Sequence, residues 1–119
     1  MRKSKINISG FKIGTAENRE GLTGVTVILA PDGGATAGVD VRGCAPGTRE
    51  TDLLDPRKTV QKIHAVVLSG GSAFGLEAAS GCVKYLAEQG VGFPIGNVCV
   101  PIVCSAVLFD LMIGDEKAY

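Results

Sequence analysis

The feature that most constrains this fold is a short apolar run, Ile63 to Leu68, followed directly by a glycine-rich segment and a helical pattern. Such a run is typical of a β-strand that is buried on both of its faces. One helix covers only one face of a sheet, so the opposite face needs a second layer. We therefore predict a sheet whose second cover comes from a second sheet, from the rest of a longer polypeptide, or from another subunit.

The residues after this run predict the one long helix of the chain. Apolar residues recur there at steps of three, four and three, which places them on a single stripe. The stripe consists of Leu76, Ala79, Val83 and Leu86. The helix is expected to begin near Phe74, and Gly90 is placed to end it.

The remaining elements are predicted from β-branched residues, turn residues and prolines. Asp55-Pro56 has the form of a helix N-cap followed by proline at the first helical position. The expected elements are a strand at Ile6–Ile13, a hairpin over 22–41 that turns at 31–34, a loop over 42–55, a short helix over 56–62 and a strand at Val98–Leu111.

Charge and hydropathy exclude several classes of function. Twelve basic and twelve acidic residues balance, so the chain has no electrostatic field that would attract nucleic acid or anionic lipid. The longest apolar stretch, Val98 to Ile113, is interrupted by Pro101, Ser105 and Asp110, and it is shorter than the roughly 20 residues of a spanning helix. We expect a soluble, cytoplasmic protein with neither a nucleic-acid partner nor a membrane partner.

The metal-ligand types give no standard site. The four cysteines form no CxxC pair, and we interpret them as reduced thiols that mostly pack as small apolar residues. They are Cys44, Cys82, Cys99 and Cys104. The single histidine, His64, lies within the apolar run and is interpreted as a hydrogen-bonded core residue. We expect no metal and no cofactor.

The segment Ser69–Gly75 is the candidate functional site. Glycines allow a ligand to approach the backbone, and the first amides of a helix can bind an anion or a developing oxyanion. Two interpretations remain open: a loop that lines a substrate pocket, or a tight turn with Ser72 as the N-cap. A nucleotide site is disfavoured because neither a P-loop nor GxGxxG is present. Ser72 also lacks the second glycine of a nucleophile elbow, since Phe74 stands there.

The polar loop before the buried strand also has two interpretations. Arg49 and Glu50 are either solvated, with Thr51 and Asp52 capping the next helix, or they belong to buried arginine–carboxylate pairs that fix the loop beside a site.

Three segments together resemble the DmpA-type family of L-aminopeptidases/D-esterases, which includes β-peptidyl aminopeptidases and nylon-oligomer hydrolases. The segments are GVDVRGCAPGTRETDLLDP, IHAVVLSGGSAFGLEAASG and VPIVCSAVLFDLMIGD, in the family's order and spacing. The resemblance extends from about Gly14 to Asp115. It implies part of a four-layer α/β/β/α sandwich, like that of the ornithine acetyltransferases, with residues 1–119 as the N-terminal part of a single catalytic domain.

The resemblance also implies an activity that this chain does not complete. Family members are precursors that cut themselves, and the Ser or Thr at the new N-terminus becomes the nucleophile, with its own α-amino group as base. That residue lies downstream of Tyr119, so no catalytic residue is expected in this chain. The implied partners are the C-terminal part of the same precursor, further copies in a homo-oligomer, and a small peptide, amide or ester as substrate.

The expected substrate-binding residues lie in the glycine-rich segment and in the last motif. They are Gly70, Gly71, Ser72, Ala73, Phe74 and Phe109. The Gly70 and Gly71 amides are predicted to donate to a carbonyl or carboxylate, and Phe74 to form an apolar wall.

Three positions depart from the family pattern. Phe109 stands where some members have a tyrosine near the scissile bond, so that hydroxyl's role does not carry over. Cys44 and Thr15 replace residues that are commonly Gly and His.

Two alternatives to an enzyme part stay open. One is a non-catalytic module that binds a ligand through residues 69–75, and the other is a truncated or split product that only packs against a partner.

Overall fold

The computed structural model describes residues 8–119, which form a five-stranded sheet, a two-stranded sheet and one α-helix. The strands are β1 (Lys12–Asn18), β2 (Thr23–Leu29), β3 (Thr48–Arg49), β4 (Ala65–Ser69), β5 (Phe93–Ile95), β6 (Val98–Val100) and β7 (Val103–Val107). Helix α1 spans Ala78–Glu88, and 3₁₀ turns span Asp52–Leu54 and Ser72–Glu77. This is the α+β class that the sequence predicts. No helix in the described part of the chain is long and apolar enough to cross a membrane.

The large sheet has the strand order β1-β2-β4-β7-β3, with the predicted apolar run at its centre. β4 and β7 are parallel, and every other neighbouring pair is antiparallel. Two parallel strands require a crossover connection. Here α1 and the β5–β6 hairpin make that connection, which brings α1 onto one face of the sheet.

The hydrophobic core lies between this face and α1. Ala79, Cys82 and Leu86 are buried at helical spacing and pack with Val67 and Val103 of the two parallel strands. The predicted amphipathic helix is therefore confirmed. Cys82 occupies a core position that the predicted stripe left out.

The two ends of α1 differ in how well they were predicted. At the C-terminus, Gly90 has φ +68°, and the amides of Gly90 and Val91 donate to the carbonyls of Ala87 and Leu86 at 3.0 and 2.9 Å. These bonds form a Schellman motif, which confirms Gly90 as the residue that ends the helix. At the N-terminus, a 3₁₀ turn replaces the first predicted turn of α-helix, so α1 begins later than Phe74.

The predicted hairpin over 22–41 is wrong. Its first strand exists as β2, but β2 pairs with β1 and β4, and both of its edges are then occupied. The expected return strand, Ala35–Val41, contributes only an isolated bridge between Ala35 and Ile63. The first strand lies at Lys12–Asn18 and not at Ile6–Ile13, and residues 6 and 7 of that prediction lie outside the described part of the chain.

The predicted helix over 56–62 is also wrong. The Asp55 carbonyl accepts the Lys58 amide at 2.9 Å, and its carboxylate accepts the Arg57 amide at 2.9 Å. These bonds make a β-turn with Pro56 at its second position, a position that proline favours as much as the first turn of a helix. The Asp55-Pro56 dipeptide, which can also begin a helix, therefore begins a turn here.

The predicted strand Val98–Leu111 is divided into β6 and β7. Pro101 has no amide to donate to a sheet. The Ile102 backbone binds His64 instead: its carbonyl accepts the His64 amide at 2.8 Å, and its amide donates to His64 Nδ1 at 3.0 Å.

The sheet face opposite α1 is only partly covered among residues 8–119: Cys104 is buried there, whereas side chains nearer the glycine-rich loop are exposed. Side chains alternate along a strand, so Val66 and Leu68 point away from the helix that covers Ala65 and Val67. Leu68 is 46% exposed, and Ile13, on the same face of the edge strand β1, is 50% exposed. The second sheet implied by the resemblance stays a prediction, because no described residue forms it.

We expect residues 1–119 alone to associate through this open face. Covering a Leu or Ile side chain contributes roughly 1.5–3 kcal/mol, so several uncovered apolar side chains favour association. Sedimentation of the isolated chain should show a dimer, a larger species or aggregates. Leu68→Lys should shift the distribution towards the monomer because it places a charge in the contact.

Tyr85→Lys is the matched control, since Tyr85 is 52% exposed on α1 and lies outside the open face. It should leave the distribution unchanged. A compact wild-type monomer that survives dilution and unfolds cooperatively would contradict the need for a cover.

Candidate functional site

The glycine-rich segment lies where two parallel strands end. Ser69 of β4 is paired with Val107 of β7, so both strands leave the sheet at the same edge. The Leu108 amide donates to the Ser69 carbonyl at 2.8 Å, and the Ser72 amide donates to the Leu108 carbonyl at 2.9 Å. Crevices at the carboxyl ends of parallel strands are frequent ligand sites in α/β layers.

The backbone of this loop has an unusual conformation. Gly71 has φ +85°, and Ser72, which carries a side chain, has φ +53°. The left-handed region is uncommon for a residue with a Cβ atom, and such residues cluster at functional sites. Gly75 packs against the Gly70 carbonyl so closely that a Cβ atom would overlap it. Glycine is therefore required at 71 by conformation and at 75 by space.

The first amides of the loop are bound within the chain. The Gly70 amide donates to the Gly24 carbonyl at 2.9 Å, and the Gly71 amide donates to Asp110 Oδ1 at 2.7 Å. The sequence predicted that these amides donate to a ligand, whereas in this structure neither is free to do so. The geometry also gives no support to a phosphate cradle, since a cradle needs unpaired amides.

Asp110 holds three parts of the chain together at this edge. Its Oδ1 accepts the Gly71 amide, and its Oδ2 accepts the Thr23 hydroxyl at 2.8 Å. A Cβ atom at Gly70 would overlap both Asp110 Oδ2 and Thr23 Oγ1. The bond between Asp110 and Thr23 therefore passes over a position that only glycine can occupy.

The same hydrogen bonds keep Asp110 ionised. The bond from the Gly71 amide, and then that from the Thr23 hydroxyl, hold the pKa of the Asp110 carboxyl below its ordinary value of 3.8. A carboxylate that accepts two hydrogen bonds is favoured over the protonated acid. The site is therefore built around a negative charge that belongs to the chain itself.

A cavity of about 700 Å³ opens beside the loop. Gly70 and Phe74 line it from the loop side, while Ala16 and Val25 line it from β1 and β2. Phe74 is 57% exposed, and its ring stacks on Tyr119 with centroids 4.1 Å apart. The structure thus places the predicted apolar wall next to an open cavity.

The six predicted site residues come together at this edge of the sheet. Gly70 and Gly71 are buried, Ser72 is half-buried, and Ala73 is exposed. Phe109 is 68% exposed, and it lies next to Leu108, whose carbonyl binds the loop. Gly71 and Ser72 are not among the residues that line the cavity of about 700 Å³; they shape the loop behind its wall.

His64 is a core residue, as the sequence predicts. It is 7% exposed, burial lowers its pKa, and its Nδ1 accepts a hydrogen bond from the Ile102 amide. It precedes the amino end of β4, whereas Ser72 follows the carboxyl end. A strand of five residues spans about 17 Å, so His64 cannot act as a base for Ser72.

The four cysteines are free thiols. Burial raises the pKa of Cys82, and it raises that of Cys104 to about 11. Both stay protonated near neutral pH, and a protonated thiol is a poor nucleophile and a poor metal ligand. Residues 8–119 contain no group of three or more His, Cys, Asp or Glu side chains that could share a metal ion.

Among residues 8–119, Arg49 is neither fully solvated nor paired with a carboxylate, which were its two predicted states. It is half-buried in β3, and its guanidinium donates to the Ser80 hydroxyl at 2.7 Å. The ion pairs found among residues 8–119 lie elsewhere, at Arg19–Glu17, Arg42–Asp40 and Arg57–Asp55. Arg49 therefore fixes its loop to α1 through a hydroxyl and not through a carboxylate.

Sequence reasoning missed Asp110 and Thr23 as parts of the site. Asp110 is the single acidic residue within the last apolar stretch, Val98 to Ile113, and that isolation was the available signal. Thr23 gave none, since a threonine at the start of a strand is ordinary. Their pairing joins residues 87 positions apart, which local patterns do not reveal.

Comparison with known proteins gives a family match over nearly the whole chain. The profile of "Peptidase family S58" matches residues 5–118. This range includes the glycine-rich loop, Thr23 and Asp110.

The proteins that are similar in sequence to this chain include aminopeptidases and oligomer endohydrolases by name. An uncharacterized aminopeptidase of Mycobacterium leprae is 54% identical over 92 residues, which is 77% of this chain and 25% of that protein. A 6-aminohexanoate-oligomer endohydrolase of Kocuria sp. is 34% identical over 115 residues, which is 97% of this chain and 30% of that enzyme. The chain thus spans between a quarter and a third of the length of these relatives.

The titration of Asp110 tests the hydrogen bonds at this site. The folded pKa is lowered, so the carboxylate stabilises the fold above its ordinary pKa of 3.8, and this stabilisation is lost as the pH falls through the lower folded value. We expect the Asp110 carboxyl carbon to titrate by NMR with a midpoint below 3.8. Thr23→Val should raise the midpoint because it removes one donor.

Thr26→Val is the matched control, because Thr26 lies on the same strand and donates no hydrogen bond to Asp110. It should leave the midpoint unchanged. A wild-type midpoint at or above 3.8 would mean that the two bonds do not form in solution.

Proposed function

We propose a function for this chain from one premise: it belongs to peptidase family S58. Completed by the C-terminal part of its precursor, it is an aminopeptidase or amidohydrolase that releases N-terminal amino acids from small peptides, amides or esters. The observation that carries this proposal is the family match over residues 5–118, which includes the whole candidate site. The printed names of the relatives, aminopeptidase and 6-aminohexanoate-oligomer endohydrolase, support amide hydrolysis as the reaction class.

The nucleophile is proposed to lie outside this chain. The Ser72 hydroxyl makes no hydrogen bond to a base among residues 8–119, and His64 lies at the opposite end of β4, where its Nδ1 accepts the Ile102 amide. The buried thiols of Cys82 and Cys104 are held protonated. An N-terminal Ser or Thr, exposed when the precursor cuts itself, supplies the attacking hydroxyl.

The reaction then follows the N-terminal-nucleophile scheme. The hydroxyl attacks the carbonyl carbon of the scissile amide, and the α-amino group of the same residue takes its proton. The C–N bond breaks, the amine leaves with that proton, and an acyl-enzyme ester remains. Water then attacks the ester and releases the acid, which restores the hydroxyl.

This chain is proposed to supply one wall of the substrate pocket. The cavity of about 700 Å³ next to Phe74 is large enough for a small peptide or amide. Its lining is mainly apolar, and Glu77 also lines it, so a carboxylate is available near the free amino group of a substrate. The ring of Phe74 stacks on that of Tyr119, which supports a wall that accepts planar apolar groups.

The open sheet face is proposed to receive the C-terminal part of the precursor. Leu68 and Ile13 are exposed there, and the exposed residues Leu108 and Phe109 continue the apolar surface towards the site. A second sheet on this face would complete a four-layer sandwich. Further copies of the protein are proposed to associate into a homo-oligomer.

The alternative of a phosphate-binding module gains nothing from the structure. The Gly70, Gly71 and Ser72 amides all donate within the chain, so these three are not available to an anion. A loop of this kind can serve as a wall without using its amides.

The proposal is tested by comparing the chain alone with the completed protein. The completed protein is the extended reading frame, or residues 1–119 co-expressed with the C-terminal part of the Mycobacterium leprae relative. We expect it to hydrolyse p-nitroanilides of small amino acids, and residues 1–119 alone to be inactive. Activity should disappear when the Ser or Thr exposed by self-cleavage is replaced by Ala.

Two results would contradict the proposal. Turnover by the purified isolated chain that depends on Ser72 or a cysteine would place the nucleophile inside it. A folded, completed protein without activity on amides or esters would remove the function itself.

Gly71→Ala tests the loop as part of the substrate pocket. At Gly71, which has φ +85°, a Cβ atom would come within 3.0 Å of the Tyr119 Cβ and 3.2 Å of the Gly75 amide nitrogen, so the strained loop or Tyr119 must give way. We expect kcat/KM of the completed protein to fall by about tenfold, because displacements of about 1 Å are costly in catalysis.

Gly33→Ala is the matched control for backbone strain. Gly33 has φ +83°, close to the +85° of Gly71, but a Cβ atom there meets nothing within 4 Å. It should lower stability by a similar amount and leave kcat/KM unchanged. Equal kinetics for the two variants would return residues 69–75 to the interpretation of a plain turn.

A further inference from the structure

We propose that Asp110 is the positioning residue of the glycine-rich loop, and that it acts by holding Gly71 and Thr23 together through its two carboxylate oxygens. The inference rests on the proposed function, because it assigns the loop a task in the reaction of the completed protein. Asp110 does not contact the cavity that Phe74 lines, so it acts through the loop.

The first support is that each carboxylate oxygen of Asp110 accepts a different hydrogen bond. Oδ1 accepts the Gly71 amide at 2.7 Å, and Oδ2 accepts the Thr23 hydroxyl at 2.8 Å. Hydrogen bonds to an ionised carboxylate are shorter and stronger than those between neutral groups. One side chain therefore fixes the start of the loop to the start of β2.

The second support is the space around Gly70. A Cβ atom on this residue would overlap Asp110 Oδ2 and Thr23 Oγ1. The Asp110–Thr23 bond thus lies directly against the loop backbone. The loop cannot move towards β2 without breaking this bond.

The third support is the loop conformation that the two hydrogen bonds of Asp110, called the clamp below, maintain. Gly71 and Ser72 are successive residues with positive φ, and a strained pair persists only when its surroundings fix it. The Ser72 amide is held by the Leu108 carbonyl, two residues before Asp110. The segment that leaves β7 therefore holds both residues, by a main-chain carbonyl and by a carboxylate.

The consequence concerns the wall of the pocket. Phe74 follows Ser72 in the same 3₁₀ turn, so a change at Gly71 and Ser72 moves its ring. Loss of the carboxylate should displace the wall, while an amide of the same shape should largely preserve it. An acceptor of the right geometry matters here, and bulk at position 110 does not replace it.

The first experiment measures hydrogen exchange of the peptide that contains residues 69–76 in the 119-residue chain, in whichever assembly state it adopts. Asp110→Ala should raise the exchange rate of the Gly71 and Ser72 amides at least tenfold. Asp110→Asn should give an intermediate rate because its amide oxygen still accepts. Exchange in Asp110→Ala equal to that of the wild type would overturn the proposal.

The second experiment measures kcat and KM of the completed protein. Asp110→Ala should lower kcat/KM about tenfold, and Asp110→Asn should restore it to within threefold of the wild type. A purely structural Asp110 would change thermal stability and leave both constants unaltered, which would also overturn the proposal. If Asp110→Ala does not fold, Thr23→Val removes one bond of the clamp and takes its place in both experiments.

Asp115→Asn is the matched control. Asp115 also accepts a backbone amide, that of Lys117 at 3.0 Å, but it lies outside the loop and the clamp. Its exchange and kinetics should equal those of the wild type. A wild-type completed protein without activity would defeat the proposed function alone, and the exchange rates would then decide the role of Asp110.

Discussion

The parallel pairing of β4 with β7 is the interaction on which the rest of the structure depends. It brings the carboxyl ends of two strands to one edge, where Ser69 lies opposite Val107. The glycine-rich loop leaves one strand and the segment with Asp110 leaves the other, so residues about 40 positions apart in the chain become neighbours. The crossover that this pairing requires also brings α1 onto the sheet, and the core forms between them. Without this pair, neither the core nor the candidate site would exist.

The sheet is fully covered on one face only, and the partly open second face supports the proposal that another part of the precursor packs on it. Ala65 and Val67 lie under α1 and are almost completely buried, while Leu68 on the opposite face remains 46% exposed. A small domain is stabilised mainly by the burial of apolar surface. Apolar side chains on the second face of this sheet are still in contact with water. The relatives are three to four times as long as the part that they share with this chain, which fits a fold that is completed from elsewhere.

The candidate site has the construction of a rigid wall and not of a reactive centre. The amides of Gly70, Gly71 and Ser72 donate within the chain, and the Asp110 carboxylate is held ionised by the two hydrogen bonds that it accepts. What remains open to a ligand is mainly apolar, namely the ring of Phe74 and the cavity beside it, which Glu77 also lines. Catalysis by an N-terminal nucleophile needs such a wall, since accurate placement of the substrate contributes much of the rate. These features agree with the proposed role, in which this chain holds a substrate that another segment attacks.

The sequence by itself determined the elements whose signals are local. The run at 63–68 gave the central strand, the apolar stripe gave α1, and Gly90 ended the helix, because burial, helical period and a left-handed glycine all depend on near neighbours. Three motifs in the family's order also predicted the family and the glycine-rich loop. Only the tertiary structure decided which strands pair, so the hairpin over 22–41 failed when β1 and β4 occupied both edges of β2. It likewise decided that Asp55-Pro56 starts a turn and that Asp110 meets Thr23 across 87 positions. Strand partners and long-range hydrogen bonds are selected by the packing of the whole chain, and no local pattern of residues records that selection.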